Sequence, residues 1–437
     1  MNPAACIVLT TQTLLQNSNP SATLAEEVMA RCQRLASFSE DSTGIRRTFL
    51  SPPMRDVHSE ITDWLEPLGV KVRIDAAGNL RAVYPGETAA TSRLLIGSHL
   101  DTVPNAGAYD GILGVLLGLA LLKGLQGRRL PFAIEIVGFS EEEGVRFGIP
   151  FIGSRALVGR LDEDLLNACD SSGVAVRKVI EEFGLNPSEI GDAFLHDDIF
   201  GYVEFHIEQG PVLEKLGLPM AAVDAIAGQS RLEFFFEGRA NHAGTTPMNL
   251  RFDAMAGAAE WIMAVEREAK NIAELVATVG SVRTVPGASN VICGEARLSL
   301  DVRHREDAVR TRAVTEMIRH AEETAQRRGL SMRYSTRMNQ PAVGMDPLLT
   351  RQVENAIRNS GAEPHHMVSG GGHDAMIMAE KVPSAMIFLR TPGGISHHPA
   401  ESIAVGDVQK AIECGLHLLE QLASSPASHK LPRTRGE

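Results

Sequence analysis

No two of the five cysteines in this chain form a Cys-x-x-Cys pair. Cys6, Cys32, Cys169, Cys293 and Cys414 are scattered and odd in number, which argues against a disulfide framework and against a thiolate zinc site. Long apolar runs are missing too. The longest, Ile112–Leu122, is interrupted by Gly114 and Gly118 and is too short to span a bilayer. The apolar residues 6–9 follow no basic segment and do not read as a secretory signal. Positive charge is in deficit: 42 Lys and Arg stand against 54 Asp and Glu, a net charge of −12, which argues against a nucleic-acid-binding surface. Repeats and low-complexity tracts are absent. These gaps leave a cytoplasmic protein with neither a membrane nor a nucleic acid as partner. At 437 residues the chain is too long for one ordinary core, so two domains are expected.

Hydrophobic spacing gives the elements. Thr23 with Glu26 has the form of a capping box opening a helix whose face is Leu24, Val28, Cys32 and Leu35. A second helix carries Val57, Ile61, Trp64, Leu65 and Leu68. Residues 70–74 and 80–84 flank Ala-Ala-Gly-Asn as a hairpin. Residues 93–96 form a buried strand, 111–125 an enclosed helix and 132–139 the next strand, which together make a parallel α/β unit. The middle of the chain reads as strand 231–236, helix 253–270, strands 275–284 and 296–303, helix 307–328 and strand 330–334. That order is the β-α-β-β-α-β split unit of ferredoxin-like folds. Helix 346–359, strand 384–389 and helix 408–422 return to the α/β pattern. The expected division is a flexible N-terminus (1–22), a catalytic domain in two parts (23–215 and 336–423), an inserted α+β domain (216–335) and a disordered tail (424–437).

The chemistry concentrates at predicted strand ends. Gly97-Ser98-His99-Leu100-Asp101, Tyr109-Asp110-Gly111 and Glu141-Glu142-Glu143-Gly144 place a histidine and several carboxylates where open α/β sheets bind ligands. Such a set suits zinc, manganese or cobalt. His99 with Asp110 supplies donors for one ion and Asp110 with Glu143 for another; Asp101, two residues along an extended segment, can accept the His99 N–H and fix its tautomer. Glu142, beside a ligand Glu, has the position of a general base. His206 closes an apolar strand, and His397-His398 sits in a glycine-led loop. Singly, each has a plain structural reading: His206 as a core histidine, the three Glu as a solvated face, His373 as a helix cap, His242 as part of a turn. Their joint order along the chain is what points to a metal-assisted hydrolase.

The same segments resemble a known family. GSHLDTV (97–103), AYDG (108–111), EEEGVRF (141–147), HIEQGPVLE (206–214), NHAGTTPM (241–248), SNVI (289–292), DVRH (301–304), GGGHDA (370–375) and GGISHHPAE (393–401) are similar to motifs of the hydantoinase/carbamoylase amidohydrolases, a branch of the bimetallic aminopeptidase–aminoacylase superfamily. The likeness runs from about residue 25 to 422. It implies an α/β bimetallic aminopeptidase-like catalytic domain with an inserted ferredoxin-like lid and dimerisation domain. It further implies two divalent ions per subunit, zinc or manganese with cobalt as a third option. His99, Asp110 and His206 would hold one; Asp110, Glu143 and His397 the other. Glu142 would be the base. His242, reaching in from a partner subunit, would stabilise the oxyanion. Asn290 and Arg303 would bind the substrate carboxylate, with Gln209 and His373 completing the pocket.

The substrate class implied is a small ureido compound bearing a carboxylate, and the assembly a homodimer. Within the family, the Gly-Gly-Gly-His-Asp-Ala-Met and Gly-Gly-Ile-Ser-His stretches favour allantoate amidohydrolase. N-carbamoyl-L-amino-acid hydrolase, including β-ureidopropionase, is the alternative. A catalytically silent metal-binding protein on the same fold comes third, because Glu142 and all five ligand positions are filled. An aminoacylase or dipeptidase is disfavoured by His206, where related peptidases carry a carboxylate.

Overall fold

The computed structural model describes residues 20–88 and 92–425. The expectations for residues 1–19 and 426–437 lie outside the described residues. The chain divides into two compact units. The first takes the described residues up to Val223, then Met345–His366 and those from His373 on; the second is Asp224–Gly344 with Met367–Gly372.

In chain order the strands of the first unit are β1 (Lys71–Ile74), β2 (Leu80–Tyr84), β3 (Arg93–His99), β4 (Ala133–Phe139), β5 (Ile199–Ile207) and β6 (Met220–Ile226), the last carrying the chain into the second unit. The second unit contributes β7 (Gly228–Glu237), β8 (Val276–Thr278), β9 (Val282–Val285), β10 (Glu295–His304), β11 (Ser331–Gln340) and β12 (Val343–Gly344). Two strands follow, β13 (His366–Ser369) and β14 (Ser384–Leu389). The main sheet runs β1-β2-β4-β3-β5-β14-β6. β3 is parallel to both β4 and β5, and β14 is parallel to β5, so these strands present their carboxyl ends at one edge.

β3, β4, β5 and β14 are buried along almost their whole length, as expected of strands covered on both faces. The helix Ile112–Gly124 lies against them and is buried on nearly every side. Gly114 allows this approach: a Cβ there would lie 2.2 Å from the Phe205 carbonyl oxygen of β5. The first helix, Pro20–Ala36, buries Ala25, Val28, Cys32 and Leu35. It begins at Pro20, four residues ahead of Leu24, where a Thr23 cap would start it. Proline fits the first helical turn because its φ is already helical and its missing N–H would be unsatisfied there anyway.

The second unit has sheet order β11-β7-β10-β8, with every pairing antiparallel. This is the strand order of the split β-α-β unit that the element order predicted. One correction applies. The expected strand 275–284 is two strands, β8 and β9, each paired to β10. Between them the backbone N–H and the hydroxyl of Ser281 both donate to the Ser299 hydroxyl of β10, in place of a regular ladder. The helices Ala254–Lys270 and Asp307–Arg328 cover one face, packing Trp261 and Met317 on Phe234, Phe236, Leu298 and Leu300. The other face carries the alternate residues of β7 and β10, which are polar except for Phe235, whose ring lies under Arg297 and Arg333. β6 is an element the sequence reading missed, because Met-Ala-Ala-Val-Asp-Ala-Ile has no period of 2 to detect.

His58, on the helix Pro52–Leu65, is buried, and its Nε2 has no hydrogen-bond partner. Burial first, then Arg47 and Arg55, pull its pKa down to about 3. The unfolded chain takes up this proton near pH 6.5 and the folded chain does not. Stability therefore falls as pH drops from 6.5 towards 3, by about 1.4 kcal/mol per pH unit from this group. The unfolding free energy of a His58→Leu variant should vary less steeply with pH by that amount between pH 6 and 4. Parallel wild-type and variant curves would refute this.

Candidate metal centre and active site

Three parallel strands deliver the site. β3 ends at His99, the Glu141–Glu143 segment follows β4, and His206 is the penultimate residue of β5. Asp110 lies in the turn before the helix Ile112–Gly124. The turn needs Gly111. Its φ is +68°, and a Cβ there would lie 2.5 Å from the His99 ring.

The imidazoles of His99 and His206 are both buried. Nδ1 of each faces a backbone carbonyl at 3.0 Å, that of Asp101 for His99 and that of Ile207 for His206. Carbonyls only accept, so each Nδ1 donates and each Nε2 is left with its lone pair. The two Nε2 atoms nevertheless lie 3.4 Å apart, and Asp110 Oδ1 is 3.5 Å from that of His206. Two lone pairs and a carboxylate oxygen converging in a buried site repel one another unless a positive charge lies between them. Where no cation supplies that charge, a proton on His99 can, at the expense of one lone pair. Burial works against a charged His99, yet the hydrogen bond to Asp101 and the charges of Glu142, Asp101 and Asp110 push its pKa well above the usual range, while burial takes His206 down to about 4.

A second convergence shares Asp110. His397 Nε2 is 3.1 Å from Asp110 Oδ2 and 3.4 Å from Glu143 Oε1. The hydrogen bond to Asp110 leads in raising His397 to about 9, and burial raises Glu143 to about 7. Asp110 is buried, but His397, His206 and His99 together hold its carboxyl well below the ordinary range. Donor atoms of His99, Asp110 and His206 all fall within 4.8 Å of one another, as do those of Asp110, Glu143 and His397. Nitrogen and carboxylate donors in two triads joined by one carboxylate fit a pair of divalent cations. The structure thus brings all five sequence-predicted ligands together.

Glu142 stands beside this cluster. The Glu triplet is no solvated face: Glu141 and Glu142 are buried. Burial, reinforced by Glu143, Asp374 and Asp101 and opposed by His99, drives the Glu142 pKa well above the usual carboxylate range. Asp101 has a role beyond the predicted one. Its carboxylate accepts the backbone N–H groups of Glu142 (2.9 Å) and Glu143 (3.1 Å), while its side chain is 3.4 Å from His99 Nδ1, further than its own carbonyl. Asp101 thereby fixes the loop that carries both glutamates.

Gln209 Nε2 donates to Asp110 Oδ1 at 2.9 Å. Gln209 and His397 both adopt left-handed backbone (φ 58° and 54°), a strained conformation for such side chains that is common where function fixes an orientation. His373 is buried with its ring centroid 4.4 Å from that of His206. It is the residue before the helix Asp374–Met378, but its side chain makes no capping bond. Sequence reading missed two groups. Glu401 Oε1 accepts the backbone N–H groups of Tyr109 (2.9 Å) and Asp110 (3.1 Å), and its other oxygen accepts from Ser396 (3.1 Å). Buried Glu204 accepts from Ser98 (2.9 Å) and from the Ala375 N–H (2.8 Å). Glu401 falls within the GGISHHPAE motif and Glu204 two residues before His206, the only signal either carried.

His242, Asn290 and Arg303 belong to the second unit. His242 bridges to Val291, next to Asn290, and its Nδ1 accepts the Gly244 N–H at 3.0 Å. Both His242 and Asn290 are exposed. Arg303 projects from β10 into a cavity of about 640 Å³.

Residues 95–421 match the family described as peptidase family M20/M25/M40. The chain belongs to that family. It is 37% identical to the allantoate deiminase of Arabidopsis thaliana over 437 residues, covering 92% of this chain and 83% of the relative. It is 35% identical to the N-carbamoyl-L-amino acid amidohydrolase of Geobacillus stearothermophilus, covering 90% of this chain and 97% of the relative. Among solved structures, a hydantoinase/carbamoylase family amidase from Burkholderia multivorans superposes with a TM-score of 0.87 at 28% identity, covering 92% of this chain and 98% of that one. The resemblance drawn from the motifs therefore holds, and with it the α/β fold class. Members of the M20/M25/M40 family are metal-dependent, in keeping with the donor set described above. None of the described helices is long and apolar enough to cross a membrane.

Proposed function

We propose that this member of the M20/M25/M40 family is an amidohydrolase that cleaves a ureido C–N bond, with allantoate as its substrate. The observation that carries the reading is the convergence of the His99 and His206 lone pairs on Asp110, with Glu142 buried alongside. Relatives named allantoate deiminase, similar over 92% of the chain, support the choice of substrate. A pair of divalent cations, when bound by His99, Asp110 and His206 and by Asp110, Glu143 and His397, supplies Lewis-acid polarisation and lowers the pKa of water. Zinc, manganese and cobalt all suit these donors.

The chain's own residues do the rest. Glu142 takes a proton from the attacking water and returns it to the leaving nitrogen, a transfer matched to a carboxyl whose pKa has been raised. His242 donates to the developing oxyanion. Arg303 and Asn290 hold the substrate carboxylate, and Gln209 and His373 line the pocket. One ureido group of allantoate leaves as ammonia and carbon dioxide, giving ureidoglycine. A homodimer that brings His242 from a partner subunit, and closure of the second unit as a lid, belong to the same reading and rest on family likeness. So does a cytoplasmic setting, which the scattered thiols support.

The second reading is N-carbamoyl-L-amino-acid hydrolysis, favoured by relatives of that name at 35% identity. Manganese- and zinc-loaded protein should release ammonia from allantoate at a higher kcat/KM than it releases amino acids from any of a panel of N-carbamoyl-L-amino acids. The reverse ranking installs the second reading. Hydrolysis of dipeptides or acetyl-amino acids alone removes both.

A further inference from the structure

On the open face of the second unit's sheet, Asp301 and Arg303 are two residues apart on β10 and share one side. Arg231 on β7 is the direct cross-strand partner of Asp301, and Gln229 the partner of Arg303. The four side chains form one network. Arg303 Nε donates to Asp301 Oδ1 at 2.8 Å and Arg303 Nη2 to Asp301 Oδ2 at 3.0 Å. Arg303 Nη1 donates to the Gly370 carbonyl at 2.6 Å. Asp301 Oδ2 also accepts from Gln229 Nε2 (3.0 Å) and from Arg231 Nε (3.0 Å).

Counting hydrogens shows what this leaves. A guanidinium has five N–H groups. Asp301 takes two from Arg303 and Gly370 takes one. Two remain, one on each terminal nitrogen, and the cavity beside them is also lined by Arg231, Thr278, Ser299 and the mutually neutralising pair Arg337 and Glu233. One hydrogen on each of two nitrogens in a fixed plane is the pattern a carboxylate accepts with both oxygens. A charge count adds the second part. Arg303 with Asp301 alone is neutral and has no net attraction for an anion. Arg231 brings the group of three to +1.

We propose that Asp301 and Arg231 are positioning residues for substrate binding: Asp301 locks the Arg303 guanidinium so that its two remaining hydrogens receive the substrate carboxylate, and Arg231 restores the positive charge that Asp301 cancels. The inference rests on the reading that Arg303 binds that carboxylate. It adds that recognition is a property of the Asp301–Arg303–Arg231 group, and that Arg303 alone is insufficient.

Calorimetry on the metal-loaded full-length protein tests it, with allantoate and its neutral carboxamide as probes under conditions that suppress turnover (Glu142→Gln background). The parent protein should bind the carboxylate more tightly than the carboxamide. Asp301→Asn, which keeps shape but loses the charge that fixes Arg303, should bind allantoate about tenfold more weakly or worse and leave carboxamide binding within about twofold. Asp301→Glu should recover part of the loss. Arg231→Met should weaken allantoate severalfold, more at low salt than at high salt, since its effect is long-range charge. If the parent prefers the carboxylate and Asp301→Asn keeps that preference, the positioning role is overturned while the carboxylate reading survives. If the parent shows no preference, the carboxylate reading fails and the inference fails with it. Unchanged affinity in Arg231→Met overturns the charge role alone.

Discussion

A Glu142→Gln enzyme should lose about 10²–10⁴-fold in kcat while keeping its full metal content and a KM within a few-fold of wild type. The substitution is nearly isosteric, and the group that holds the loop in place is untouched. Asp101 grips the backbone of residues 142 and 143, not their side chains, so Glu143 stays where it is. What the amide cannot do is take a proton and give it back. The Glu142 carboxyl lies in a buried environment whose desolvation and acidic neighbours favour the neutral form, which is the property a proton shuttle near neutral pH requires. Metal analysis together with steady-state kinetics on one preparation decides the matter. A metal-replete Gln variant with near-normal turnover would place the base elsewhere.

Replacing Asp110 by Ala should be more severe: turnover at background and fewer than one bound ion per chain. Asp110 is the one carboxylate common to both candidate triads. It is also the group that keeps three imidazoles from facing one another uncompensated, with His397 at 3.1 Å and His206 at 3.5 Å. Without it, each triad falls to two donors, and the remaining charge is too small to offset the cost of taking a dication from water. A second readout is thermal. Added manganese or zinc should raise the Tm of wild type, because an ion that binds only the folded state stabilises it by mass action, and should leave the variant's Tm nearly unmoved. A variant that still bound two ions with wild-type affinity would remove Asp110 from the centre.

Much of this was legible in the chain itself, for a physical reason. Parallel strands covered on both faces must be apolar along their length, so their ends show as abrupt changes of character, and His99, Glu141–Glu143 and His206 all sit at such changes. The second unit could be read because its strands alternate and its helices are amphipathic, a pattern β10 follows without a break. Contacts between distant segments left no such trace. Glu401 bonds backbone groups 291 and 292 residues away, and Glu204 bonds one 171 residues away. No local period encodes either. Asp101 was only half legible for the same reason: its contact with the neighbouring His99 is local, but its carboxylate also accepts from backbone groups 41 and 42 residues on. β8 and β9 read as one strand because both lie along the same neighbour, β10, with only a short break between them.

The position of β14 has a consequence for biosynthesis. It is inserted between β5 and β6, parallel to one and antiparallel to the other, although both precede it by well over a hundred residues. As the chain leaves the ribosome, the contiguous stretch Asp224–Gly344 can complete its own sheet first. The earlier segment must wait with a gap between two apolar strands until Ser384–Leu389 arrives to fill it, and His397 and Glu401 emerge only after that. A nascent or prematurely terminated chain therefore carries a half-built centre with an open seam between apolar strands.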